Sequence, residues 1–120
     1  MSRAALVLRR SYTGHPRPED DDKFWKVIYR GLYVGSIAQQ QGPSGDEPHW
    51  TWTINIHAGE LANGVRQATP TEGRAATREG CLPAFRKAFE RYLIFIGEEG
   101  WAAHVEHMRR IGSNAETKRY

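Results

Sequence analysis

The chain has 120 residues, 39% of them hydrophobic and 26% charged, with a formal net charge of +3 and a pI of about 9.2. That length suits one domain with a single buried core, and the mild basicity admits anionic partners without matching a dedicated DNA-binding domain. A lone cysteine, Cys81, excludes an internal disulfide, and no apolar run approaches the roughly 20 residues of a membrane span, so a cytoplasmic protein is expected.

Residues 4–10 (AALVLRR) form a short apolar run ending in two arginines, read as an N-terminal strand or arm. Residues 12–23 hold Gly14, Pro16, Pro18 and the acidic run Glu19–Asp22, which oppose regular structure and predict a linker. Glu19, Asp20 and Asp22 offer oxygen ligands to a divalent cation, but their spacing matches no ligand loop, so a solvated linker is the expectation.

The sheet is expected over 24–57. Residues 24–30 (FWKVIYR) and 32–39 (LYVGSIAQ) are rich in aromatic and β-branched side chains, with Gly31 marking a hairpin between them. A two-residue turn pairs Tyr29 with Leu32 and Val27 with Val34. A three-residue loop instead faces Trp25, Val27 and Tyr29 with Tyr33, Gly35 and Ile37, and a bulge near Gly35 would reconcile the two registers. Residues 40–48 form a loop. Residues 49–57 (HWTWTINIH) alternate strictly, with Trp50, Trp52, Ile54 and Ile56 on one face and Thr51, Thr53, Asn55 and His57 on the other.

Residues 58–76 are expected as a long loop. In the helix predicted over 77–96, Leu82, Phe85, Ala88, Phe89, Tyr92, Leu93 and Ile96 recur at spacings of three and four, opposite Arg86, Lys87, Glu90 and Arg91. Thr77 is the expected N-cap and Glu79 suits the first turn. Gly80 and Pro83 predict a separate first turn at 77–81 or a kink. Gly97 ends the helix, and Trp101, Val105, Met108 and Ile111 mark a second one over 100–111. Residues 113–120 are expected to be a disordered tail. The prediction is a single α+β domain over 1–112. It has a small antiparallel β-sheet of three strands, a fourth coming from the N-terminus if that run pairs, packed by one long α-helix with an additional C-terminal helix.

Several pieces of the chain together resemble a family of small uncharacterised conserved proteins from alphaproteobacteria, of rhizobial type. They are the aliphatic-arginine run 6–10, the Asp-rich turn entering an apolar strand, residues 31–37 (GLYVGSI), Trp50-Thr51-Trp52, and residues 73–79 (GRAATRE) leading into Phe85. The resemblance spans roughly residues 4–90 and departs at Gly80 and Pro83, where the family is more Ala-rich. It implies the fold and no activity. In topology, a three-stranded meander followed by a helix also resembles double-stranded-RNA-binding and integrase-type DNA-binding domains, without the lysine-rich helix start of the former.

The chemistry-bearing residues point away from catalysis. His104 and His107 lie three apart on a helix, a spacing able to grip one metal, yet no third ligand follows, so no metal or other cofactor is expected. Cys81 near a helix start could be an activated thiol, but no histidine is tied to it, and a small buried hydrophobe is the ordinary reading. Gly97–Gly100 is acidic and unsuited to phosphate.

The first expectation is therefore a non-enzymatic binding or interaction module of unknown protein partner or one that self-associates as a homodimer, through Ile94, Phe95 and Trp101. The alternative is a nucleic-acid-binding domain using Lys26, Arg30, Arg78, Arg86, Lys87 and Arg91. In that case Phe24, Tyr33, Thr51 and Thr53 would supply a stacking platform on an uncovered sheet face.

Overall fold

A computed structural model of the chain describes residues 5–10, 23–40, 49–65 and 69–111. The acidic run 19–22 and the tail 113–120 lie outside the described residues. Five strands form one antiparallel sheet in chain order: β1 (Leu6–Arg10), β2 (Phe24–Tyr29), β3 (Leu32–Gln40), β4 (His49–Ile54) and β5 (Glu72–Ala75). A helical element, α1 (Arg78–Arg110), follows and packs across one face. The α+β class is as expected, but the strand count of three or four is corrected to five. The fifth strand falls within the stretch read as a loop over 58–76.

The β2–β3 hairpin joins both anticipated registers. Arg30 and Gly31 have positive φ, 51° and 77°, as a two-residue type I′ turn requires. Tyr29 therefore opposes Leu32 and Ile28 opposes Tyr33. Beyond them a bulge at Val34 shifts the pairing, so that Val27 opposes Gly35 and Trp25 opposes Ile37. The bulge keeps Val27, Val34 and Ile37 fully buried.

Cross-strand partners share a face. The inner face carries Leu6 and Leu8, then Trp25, Val27 and Tyr29, then Gly35 and Ile37, and finally Trp52 and Ile54. Onto it α1 lays Cys81, Phe85, Ala88, Phe89, Tyr92 and Ile96, spaced as one helical stripe. The Phe85 ring meets Trp52 edge-on at 6.0 Å between centroids, and Phe89 meets Tyr29 at 5.1 Å. Gly35 leaves room for this packing, since a Cβ there would run into the Phe85 ring and the Thr53 carbonyl oxygen.

The helix begins at its cap, where the Gly80 amide donates to the Thr77 hydroxyl at 2.9 Å. The separate first turn or kink expected from Pro83 is absent, because only Gly97 inside α1 is non-helical. Pro83 and Glu79, whose carbonyl the proline ring crowds, both lie on the exposed side, where that carbonyl can tilt into water. The break falls at Gly97, with φ 65° and ψ −170°, a conformation that strains any residue with a Cβ. It divides α1 into a first arm, 78–96, and a second, 98–110. The additional C-terminal helix of the sequence reading is this second arm of one element. Among the described residues, no helix is long and apolar enough to cross a membrane.

Candidate functional site

The sheet face away from α1 is organised in rows that the strand registers fix. One row runs Arg9, Lys26, Ser36, Thr53, Glu72 across all five strands. Beside it lie Phe24, Ala38, Thr51 and Arg74; on the other side lie Val7, Ile28 and Tyr33. Arg9 and Lys26 are directly opposed at one end of this row, and the exposed Glu72 lies at the other. Phe24 and Val7 are 44% and 48% exposed, whereas Ile28, opposite Val7, is 2% exposed. The Tyr33 hydroxyl accepts from Asn55 Nδ2 at 2.8 Å, which fixes that ring on the same face.

The basic residues singled out from the sequence do not form one patch. Lys26 lies on this outer face. Arg30 occupies the hairpin turn with its guanidinium over the Tyr29 ring at 5.1 Å. Arg78 stacks on Trp25 at 4.3 Å and pairs with Glu79 at 3.2 Å, beside an open cleft of about 520 Å³ where Arg10 and Trp50 also meet the helix start. Arg86 is half-buried, and its enclosed Nε has no hydrogen-bond partner among the described residues. Lys87 and Arg91 are exposed on α1, across the molecule from Lys26.

The three candidate interface residues also separate. Ile94 is 72% exposed and Phe95 42%, so the second arm does not cover them. Trp101 instead turns inward and packs edge-on against Tyr29 at 5.2 Å.

A second concentration of chemistry lies where β4 runs out beneath the second arm. His104 is fully buried and held at both ring nitrogens. The backbone amide of His57 donates to its Nδ1 at 3.1 Å, and its Nε2 lies 3.1 Å from the Tyr33 carbonyl oxygen. Nδ1 must be bare to accept, and Nε2 must carry the proton to donate, so the ring is the neutral Nε2–H tautomer. The His57 ring stacks on His107 at 3.9 Å and lies parallel to His104 at 6.0 Å. His57, His107, Glu106 and Arg110 border an open cleft of about 610 Å³.

Burial pushes the His104 pKa down, and neighbouring His57 and His107 push the same way against the opposing pull of the Tyr33 hydrogen bond. The His57 pKa is lowered first by burial and then by His107. With both nitrogens of His104 committed to backbone, the His104/His107 spacing presents no chelating pair. Among the described residues, no three His, Cys, Asp or Glu side chains are placed to hold a metal ion. Cys81 is fully buried, and desolvation raises its pKa more than a backbone hydrogen bond from Ala75 lowers it, so the thiol is not activated.

His57 had no signal marking it as a partner of His104, because 47 residues separate them. No protein-family model, curated protein or solved structure matches the chain.

Proposed function

We propose that this chain is a small, non-enzymatic, cytoplasmic binding module whose ligand is single-stranded nucleic acid, taken on the sheet face away from α1. The observation that carries this reading is one juxtaposition: the opposed cations Arg9 and Lys26 with the Ser36 and Thr53 hydroxyls, next to the half-exposed Phe24 ring. Cations and hydroxyls suit phosphate and sugar, and a half-exposed aromatic ring suits an unstacked base. The basic helix face is left out of this site because α1 covers the opposite side of the sheet. The non-enzymatic part rests on the structural roles taken by His104 and Cys81, and the cytoplasmic part on the single buried thiol.

Fluorescence anisotropy with labelled single-stranded and duplex oligonucleotides tests the reading. The expected result is preference for the single strand. With Arg9, Lys26 and Arg74 neutralising phosphates, the slope of log K against log salt should be about −2. No binding at low salt, where electrostatics are strongest, would overturn it.

Self-association is a second reading, supported by the adjacent exposed Ile94 and Phe95. It predicts a concentration-dependent dimer in sedimentation that resists salt and is lost in Ile94→Lys. A monomer at all concentrations would remove it.

A further inference from the structure

The His104 contacts have a consequence independent of any nucleic-acid ligand. The second arm of α1 reaches the sheet through a side chain that must stay neutral to make its two hydrogen bonds. We propose that His104 is a pH-sensitive latch, holding the second arm against the β3 bulge and the segment after β4, and that its protonation lets this arm swing about Gly97.

Protonated His104 would carry a proton on Nδ1 facing the His57 amide proton, so one hydrogen bond would become a donor–donor clash. The charge would also be fully buried. Among the described residues, the surroundings offer it no anion. From β3 the ring faces the Tyr33 carbonyl, and from the segment after β4 it faces His57, itself a base. From the first arm comes Tyr92, whose hydroxyl is turned to the Ile56 carbonyl at 3.5 Å. On its own arm the ring faces Trp101 at 5.4 Å, and His107 stacks against His57. Glu106, the acid bordering the cleft, is engaged by Arg109 and Arg110.

The hinge is supplied by Gly97, the one non-helical residue inside α1, placed between the arm that forms the core and the arm that carries the latch. The lowered pKa of His104 sets the direction. Opening binds protons, so it is favoured as pH falls below the ordinary histidine value of 6.5, each unit between the two states being worth about tenfold.

Hydrogen exchange on the full chain tests the latch, as protection factors at about pH 7.5 and about pH 5, on either side of the histidine range. The expected result is that protection over 98–110 falls about tenfold or more beyond any fall over 78–96. In His104→Gln, which can still donate to the Tyr33 carbonyl but does not titrate, this difference should vanish. Equal losses in both arms and the sheet, or a response undiminished in His104→Gln, would overturn the proposal.

If that variant does not fold, ring NMR of the wild type decides. A neutral Nε2–H ring that titrates below the ordinary range, together with amide shifts over 98–110, supports the latch. Titration at or above the ordinary value, or titration without those shifts, overturns it.

Discussion

The two faces of the sheet are made from the same five strands and obey different rules. The inner face is apolar from Leu8 to Ile54, and its aromatic rings meet helix rings edge to face within about 6 Å. The outer face mixes Arg9, Lys26, Arg74 and Glu72 with hydroxyls and two half-exposed apolar side chains, Val7 and Phe24. Burial accounts for the inner-face choices apart from Arg10, which pairs with Trp25 and stays exposed. It accounts for only Ile28 on the outer one, which leaves the remaining composition to be explained by what the face contacts.

The contrast breaks most readily from the inside. Phe89→Ala, at a fully buried position against Tyr29, should destabilise by about 3–5 kcal/mol in chemical denaturation. A loss below 1 kcal/mol would mean the helix stripe is not the core. Gly35→Ala should cost about 1–3 kcal/mol, since the Phe85 ring and the Thr53 carbonyl must both give way. Ile28→Val sharpens the comparison, because it probes the one anchored position of the outer face. A cost of about 0.5–1.5 kcal/mol would match its burial.

Acid should then loosen the edge where the second arm meets both β3 and the end of β4. His104 and His57 have folded-state pKa values below the ordinary one, so the unfolded chain takes up more protons. Their contribution is fully present above the ordinary value of 6.5 and is lost progressively as pH falls below it. Thermal melts across that window should show the decline, and a flat or rising profile would contradict the tautomer assigned to His104. The smallest stability effect is expected for Phe24→Ala, under about 0.5 kcal/mol. The same change should weaken single-strand binding by about 1–3 kcal/mol through the lost stacking contact.

Much of the inner face was legible because its signals are local. Strict alternation in β4 and the three-and-four spacing over 82–96 report directly which side chains face the core. β5 escaped because its inner-face residues are small. Gly73 carries no side chain where the Trp52 indole lies across it, as close as 2.8 Å to where a Cβ would sit, so the strand lacks the β-branched signature. The kink suggested by Pro83 does not form, because the Glu79 carbonyl it crowds is on the wet side of the helix; the break falls at Gly97, where the glycine signal ends the first helix.

The candidate sites were less legible, because they depend on pairing across the chain. Lys26 stood out from sequence, yet its cross-strand neighbour Arg9 enters only through the β1–β2 register. The basic residues of the helix do not join it, because α1 lies on the opposite face. Likewise, the His104 and His107 spacing was visible, but the backbone partners that commit His104 come from two strand ends.

The most direct test of a ligand-binding outer face is to follow the backbone amides by NMR while adding a short single-stranded oligonucleotide at low salt. The account predicts shift changes concentrated at Val7, Arg9, Phe24, Lys26 and Arg74, with the amides around Lys87 and Arg91 unmoved. Changes confined to the α1 surface, or none anywhere, would contradict it.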